Sequence, residues 1–491
     1  MTKTKLLLPA ILAILPVLCM AQPAYNQANI SGRTGKLADR IEKVNTLMGE
    51  AVYYDGIKPK QWENFENLEK TATNAELVEL CRHPNGVVRC YAFWALSHQN
   101  HPDLFEILLQ HLNDTTLVET QFGCLGGAEK VGDFFIDVMT PDRVDLDSKK
   151  MTSHNREMLD SLLIFQPNRL AAKSSAIFRA KPTEKIYPKL RELYLKEHDQ
   201  NALLAMARFK KEADIELILR NRDTDTNPES GYHYTYMAML AFPHPAYRPL
   251  LESNLEKTLD EKYFSQEWLL MYKVIASYQD QKSVELLMAP FTRAQVKDIR
   301  PYHIEFVYEA IREFRHPIYD DLYWKIWEEE NLIEPETFAY LLNKNPGRAY
   351  QDAKRHLDNS YELQNDGFQP NLDSVQLGGE VLESMLNLII ANDTAFANRV
   401  ITQKIATVSV HQISLYTSKV KQQAVFIEPL FDRLENEWNA HVSLKLVETL
   451  IAYQSEQINR RILETRKINP KLNEGWGGKA LDKLLLENNI K

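Results

Sequence analysis

The chain has 491 residues, 44% of them hydrophobic and 25% charged, and its formal net charge is −9. This composition is typical of a folded globular protein, long enough for two or three domains or one long repeat array. No basic block is present, so the sequence lacks the positive surface that phosphate backbones require, and we expect no nucleic-acid partner.

The first residues have the pattern of an export signal. Two lysines precede an apolar run from Leu6 to Leu18, and small residues follow before Gln22. We expect a signal peptide over residues 1–21, a mature chain that starts at Gln22 and a periplasmic or secreted location. A bulky leucine before Cys19 argues against a lipoprotein. No later stretch is long and apolar enough to predict a transmembrane segment.

Residues 22–70 are predicted to form N-terminal capping helices. The apolar pattern indicates one helix near Leu37 to Met48, and Trp62, Phe65 and Leu68 return at helical spacing in a second. Such a cap would cover the apolar face that the first unit of a repeat array leaves open.

The clearest repeat unit spans residues 75–96. Pro84 and Gly86 end one helix and open the next, because proline lacks the amide that a helix interior needs and glycine tolerates a left-handed turn. Small and apolar residues then return every three or four positions, among them Ala92 and Ala95. This pattern predicts an antiparallel helical hairpin.

This unit resembles the HEAT repeats of phycobilisome lyase relatives, in which a turn is followed by Val-Arg and an alanine-rich helix that ends in Ala-Leu. Val88-Arg89, Ala92 and Ala95-Leu96 match that signature within residues 75–126, and the chain departs from it at Val118-Glu119. The resemblance implies an α-solenoid scaffold and names no activity.

A glycine cluster, Gly123, Gly126 and Gly127, falls in the next unit. No strand is predicted before it, so we interpret it as part of a helical repeat, where it would mark close packing or a kink.

From Asn201 onward, two apolar helical stretches around a short break recur about every 34 residues. The breaks fall at residues 210–211, 243–245, 279–281, 315–317 and 344–346. We therefore predict an all-α fold, an α-solenoid of stacked antiparallel helical hairpins. Its predicted parts are HEAT-like repeats over 71–360, a loop over 361–379, and C-terminal helical repeats with a cap over 380–491.

Two further loops are predicted from composition. The charged stretch from Met139 to Asn155 reads as a long connection between repeats, and Pro470 to Gly478 as a loop before a last helix, Leu481 to Asn488.

Possible metal ligands concentrate at Cys81, His83, Cys90, His98 and His101. None of them forms the tight pair that structural zinc sites use, so we expect no metal and no other cofactor. Cys81 and Cys90 lie on opposite arms of the predicted hairpin, where either a disulfide or two buried free thiols would fit.

The stretch from Asp223 to Glu229 imitates the opening of a calcium loop. Pro228 replaces the glycine of the sharp turn and Tyr234 replaces the last glutamate, which excludes a standard calcium hand. A solvated turn is the alternative interpretation.

Five residues are candidate contacts for a partner: Arg89, Tyr232, His233, Tyr236 and Trp324. Aromatic rings give a large contact area at low entropic cost. Rings three or four residues apart on one helix face also pack between repeats, so core packing stays open as the alternative.

Hydrolase and phosphate-loop motifs are absent from the sequence. We therefore predict an exported, non-enzymatic helical-repeat scaffold that binds a protein or peptide along its surface. Two alternatives remain: an α/α toroid that binds or processes glycans, and a structural spacer within an envelope assembly.

Overall fold

A computed structural model describes residues 24–223, 231–358 and 372–491, with side chains from residue 380 onward in the last range. The chain divides into two compact units, Met1–Arg248 and Pro249–Lys491. Within the described residues, 26 α-helices and one three-stranded sheet make a mostly helical fold, which confirms the predicted class apart from the sheet. The predicted signal peptide lies outside the described residues.

The first unit contains twelve helices and all three strands. The helices are α1 (Gly32–Val44), α2 (Lys60–Thr71), α3 (Asn74–Leu80), α4 (Gly86–His98), α5 (Leu104–Gln110), α6 (Val131–Val138), α7 (Ser153–Phe165), α8 (Ala172–Arg179), α9 (Tyr187–Glu197), α10 (Gln200–Ala207), α11 (Ile215–Arg220) and α12 (His233–Ala241). The strands are β1 (Thr46–Val52), β2 (Leu117–Gly123) and β3 (Leu125–Lys130).

The remaining helices follow from the unit boundary. They are α13 (Arg248–Thr258), α14 (Glu267–Ser277), α15 (Gln281–Arg293), α16 (Arg300–Glu313), α17 (Asp320–Glu330), α18 (Pro335–Lys344), α19 (Pro346–Asp358), α20 (Leu372–Asn392), α21 (Thr394–Thr407), α22 (Ile413–Thr417), α23 (Ile427–Asn436), α24 (Ala440–Ile451), α25 (Glu456–Ile468) and α26 (Gly475–Glu487). Helix α20 begins inside the segment predicted as a loop, of which residues 361–371 lie outside the description.

The hairpin predicted over residues 75–96 is present as α3 and α4, which pack against each other. Asn85 begins α4 because its side chain accepts the Val88 N–H at 3.1 Å. Every residue of α4 from Gly86 to Ser97 is buried. This helix is therefore the centre of the first unit, surrounded by α1, α2, α3, α6 and the sheet.

All five predicted breaks lie at junctions between consecutive helices, and two of them, 279–281 and 344–346, include the end residues of those helices. They separate α10 from α11, α12 from α13, α14 from α15, α16 from α17, and α18 from α19. Helices also pack against the next helix but one, as α10 does with α12 and α14 with α16. Packing between sequence neighbours is what a repeated helical hairpin produces.

The sheet corrects two predictions. Helix α1 ends at Val44, because Asn45 takes a left-handed conformation (φ 52°). Strand β1 follows at Thr46, whereas the sequence predicted a helix up to Met48. The glycine cluster, predicted to be helical, forms the hairpin of β2 and β3. Strand β2 lies in the middle, parallel to β1 and antiparallel to β3.

The glycine-rich segment near the C-terminus is helical, which corrects the predicted loop. Helix α26 begins at Gly475, and a Cβ atom on Gly477 would clash with the Cβ atom of Ala440 in α24. Glycine is therefore required at this position because the two helices approach too closely for any side chain.

Candidate functional site

One edge of the sheet, strand β1, is closed by side chains. The hydroxyl of Tyr91 donates to the carbonyl oxygen of Met48 at 2.8 Å and accepts the N–H of Met48 at 2.7 Å. Gln61 donates to the carbonyl oxygen of Thr46 at 3.0 Å. An unpaired edge strand is a template for pairing with another chain, so these contacts protect β1.

The opposite edge, strand β3, is open. The Val131 N–H bonds to the Thr116 carbonyl oxygen at 3.0 Å. Together with the register of the β2–β3 pairing, this bond shows which residues of β3 turn their backbone groups toward β2. Every second residue of an antiparallel pair turns its N–H and C=O away from the partner strand. Gly126 and Ala128 therefore direct these groups outward. Both residues are exposed, and across residues 24–223, 231–358 and 372–491 nothing hydrogen-bonds to these backbone groups.

Local sequence explains why this hairpin forms and why its edge is accessible. Phe122 pairs with Leu125 across a two-residue turn, and Gly123 takes the positive φ (54°) that the first central position of a type II′ turn requires. Gly126 and Ala128 carry no side chain beyond Cβ, so no bulky group shields the backbone of the edge.

A half-buried carboxyl group, that of Glu129, lies at the inner face of the open edge. Glu129 pairs with Val118, which is buried, and directly paired residues project to the same face of a sheet. Burial and, to a smaller extent, the charges of Asp137 and Asp133 together raise the pKa of Glu129 to about 7, and Arg143 opposes the shift.

The two neighbouring aspartates of α6 have partners of their own. Asp133 accepts the backbone N–H groups of Ala171 and Ala172 at 3.0 and 2.9 Å, just before and at the start of α8. Asp137 accepts a hydrogen bond from Arg143 at 3.3 Å. In contrast, no cationic side chain of the described chain lies within 4.0 Å of Glu129 in an ion pair.

Large apolar side chains are exposed at the turn end of the sheet. The Tyr53 N–H bonds to the Gly123 carbonyl oxygen at 2.8 Å, which places the residues after β1 beside the hairpin turn. Tyr54 is 92% exposed and Leu125 is 79% exposed. Ile57 is also exposed. Exposed apolar groups that cluster at one end of a surface are typical of interaction sites.

Arg89, a predicted partner contact, instead holds the sheet on the hairpin. Only 7% of it is exposed. Its guanidinium group donates to the carbonyl oxygens of His83 (2.6 Å) and Pro84 (2.8 Å) and pairs with Asp114 at 2.9 Å. A further bond to the Thr116 hydroxyl, at 2.8 Å, reaches the residue before β2. The side chain thus links the α3–α4 turn to the start of the central strand.

The long connection predicted between Met139 and Asn155 is present between α6 and α7, and His98 anchors it. His98 hydrogen-bonds to Glu69 at 2.7 Å and to Asp145 at 3.2 Å. Burial alone would lower the pKa of His98, but the two carboxylates outweigh it and raise the pKa to about 9. Trp94 also donates to Asp145.

Tyr236 and Trp324, two further predicted contacts, are only 2% and 5% exposed. Tyr236 stacks with Tyr232 at a centroid distance of 5.5 Å, and Trp324 stacks with Trp327 at 5.7 Å. Their helical spacing therefore reflects packing inside each unit, which was the alternative interpretation of these rings.

The remaining two predicted contacts are more accessible. Tyr232 is half-buried, with the guanidinium of Arg222 3.9 Å above its ring centre, and His233 is exposed at the start of α12. The calcium-like stretch lies next to them, and its residues from 224 onward belong to the range 224–230, which is outside the described residues.

Cys81 and Cys90 are both buried free thiols in the structure. Burial raises the pKa of each thiol, so neither is a reactive thiolate at neutral pH. Nowhere in the described ranges do three His, Cys, Asp or Glu side chains converge as a metal ion would need.

The open edge was missed in the sequence, although a signal for it exists. Val118, Thr120 and Phe122 alternate with polar residues and lead into Gly123, which is a hairpin pattern. The glycines that follow also suit close packing within a helical repeat when no strand is predicted before them, which is why the sequence alone favours a helix there.

No helix in the described part of the chain is both long and apolar enough to cross a membrane. Comparison with family models, with curated proteins and with solved structures gave no match for the chain.

Proposed function

We propose that the protein is an exported, non-enzymatic helical-repeat scaffold, and that it binds an extended segment of a partner protein as an additional strand beside β3. The observation that carries the proposal is the contrast between the two edges of one sheet. Tyr91 and Gln61 close the β1 edge, whereas Gly126 and Ala128 leave backbone donors and acceptors of β3 open. In strand addition these backbone groups supply affinity, and side-chain contacts supply selectivity.

The size of the edge sets the expected affinity. The two exposed residues that face outward, Gly126 and Ala128, offer four backbone groups, and each hydrogen bond contributes roughly 0.5–1.5 kcal/mol net. Backbone pairing alone would therefore contribute roughly 2–6 kcal/mol, before the cost of ordering the bound segment. Contacts to exposed apolar groups such as Tyr54 and Leu125 would be needed for stable binding.

Two other features support a scaffold. The helices pack against their neighbours in the chain, as in HEAT-like repeats, and the export pattern of residues 1–21 fits a protein that meets its partners outside the cytoplasm. The glycan alternative has less support, because Tyr236 and Trp324, two of the aromatic candidate contacts that a glycan would need to reach, are buried.

A proline at position 128 tests the proposal. The Ala128 N–H faces the open edge, so Ala128→Pro removes one donor without removing a bond to β2, and proline is tolerated at such edge positions. Ala128→Ser keeps the N–H and is the matched control. The probe is a displayed library of random peptides of roughly ten residues, long enough to cover the edge strand.

Peptides selected on the wild-type protein should bind Ala128→Ser equally and Ala128→Pro at least tenfold more weakly, which corresponds to about 1.4 kcal/mol. Circular dichroism and thermal unfolding of both variants check that the fold is intact. Equal binding to Ala128→Pro, or no enriched peptide at all, would overturn the proposal.

A further inference from the structure

The register of the sheet determines what an added strand would meet. Glu129 and Val118 are directly paired and project to the inner face, whereas Ala128 and its partner Glu119 project to the opposite face. A strand beside β3 would place one side chain next to Glu129 on the inner face, with Cβ atoms about 5 Å apart.

The charges around that position are unbalanced. Asp133 and Asp137 approach Glu129 from α6, Arg143 approaches it from the connection after α6, and the uncharged thiol of Cys90 approaches it from α4. Arg143 is thus the cation that acts on Glu129, and it already bonds to Asp137, on which Arg156 of α7 also acts. Asp133 is occupied by the backbone N–H groups of Ala171 and Ala172.

Glu129 is consequently the group that an incoming cation would satisfy. It is half-buried, it lies at the open edge, and within the described chain it has no ion-pair partner. We infer that the strand bound at β3 carries a lysine or arginine beside Glu129, so that the partner segment is basic at that position. This inference rests on the proposed function, because it assigns a side chain to the strand that the open edge would bind.

Desolvation of Glu129 on binding favours a basic residue at this position. An added strand would remove water from Glu129, and burying a carboxylate without a partner is costly, whereas a paired and hydrogen-bonded carboxylate is tolerated. A neutral side chain would leave Glu129 protonated on binding. A basic side chain would favour its ionised form, so binding of basic peptides should release a proton and tighten as pH rises through about 7.

The displayed peptide library also tests this inference, through sequencing of the selected peptides. Selection on the wild-type protein should enrich Lys and Arg in one column of the aligned peptides. Selection on Glu129→Gln should abolish that enrichment. Glu119→Gln removes the same charge from the opposite face of the sheet and is the matched control, so it should leave the enrichment unchanged.

Binding measurements on two peptides that differ only at the basic residue complete the test. A selected basic peptide should bind the wild-type protein about tenfold more tightly than its Lys→Gln twin at pH 8, and this preference should shrink at pH 5.5, where Glu129 is protonated. The preference and its pH dependence should both be absent in Glu129→Gln.

The two proposals can fail separately. Loss of binding in Ala128→Pro together with unchanged Lys and Arg enrichment in Glu129→Gln would overturn the assignment of Glu129 and leave strand addition standing. Undiminished binding to Ala128→Pro would overturn strand addition, and with it this inference.

Discussion

Tyr91 and Met48 form a reciprocal pair, in which one hydroxyl satisfies both the N–H and the C=O of a single strand residue at 2.7 and 2.8 Å. Tyr91 lies in the central helix α4 and is fully buried. The pair therefore joins the helical core to the sheet and prevents β1 from pairing with another chain. Strand β3, at the other edge, has no equivalent contact among the described residues.

Removal of the Tyr91 hydroxyl should destabilise the first unit. Tyr91→Phe keeps the ring but leaves two backbone groups of Met48 without their partner, which costs about 1–3 kcal/mol for buried polar groups. Urea denaturation measures the change in the free energy of unfolding. Tyr54→Phe, at a site that is 92% exposed, is the control and should change it by less than about 0.5 kcal/mol. Equal effects of the two substitutions would contradict the role of the pair.

Arg89 should matter for stability, because its bonds to Asp114 and to the α3–α4 turn hold β2 against the hairpin. Arg89→Met removes those bonds and leaves the partly buried Asp114 carboxylate without its arginine partner. Breaking such a pair costs about 3–5 kcal/mol. Denaturation of the variant should show this loss, whereas Arg220→Met, at an exposed pair with Glu216, should be nearly neutral. A loss below about 1 kcal/mol in Arg89→Met would contradict the argument.

The helical part of the fold could be predicted because its signals are local. Breaks such as 243–245 and 315–317 carry proline beside polar residues, and each separates two helices. Strand β1 could not be predicted in this way. Leu47 and Met48 also suit a helix, and their strand is fixed by pairing with β2, about 70 residues later in the chain. The β2–β3 hairpin has a local signal, but its glycines are equally compatible with close packing in a helical repeat.

The candidate site was harder to predict than the fold. Helical spacing of Tyr236 and Trp324 shows that each lies on a stripe of its helix, but it does not show whether that stripe faces water or a neighbouring helix. Both rings are buried. The open edge depends on which strand lies outermost, and strand order is a property of the tertiary structure alone.

His98 should make the connection between α6 and α7 sensitive to alkaline pH. The folded pKa of about 9 lies above the usual value of about 6.5, so the stabilisation is complete below pH 6.5 and is lost as pH rises through 9. We expect a loss of at most about 3 kcal/mol. Hydrogen exchange of the Ser148 N–H, which donates to Asp145, measures the opening of this connection.

The matched variant for that measurement is His98→Gln, which has no titrating group at this position. After correction for intrinsic exchange rates, protection of Ser148 should fall between pH 6.5 and 9 in the wild-type protein and stay level in the variant. Parallel pH profiles for the two proteins would show that His98 does not anchor the connection.

Gly477 should be intolerant of any side chain, because its Cα faces Ala440 where α26 crosses α24. Gly477→Ala would force these two helices apart, and overpacking of this kind costs about 1–3 kcal/mol in spite of the better helix propensity of alanine. Gly347→Ala is the control in the same unit, since the nearest atom to its Cβ would be 3.8 Å away. It should be neutral or stabilising by up to about 1 kcal/mol. Thermal and urea unfolding should therefore show a loss of stability for Gly477→Ala and no loss for Gly347→Ala, and a neutral Gly477→Ala would contradict the close approach of α24 and α26.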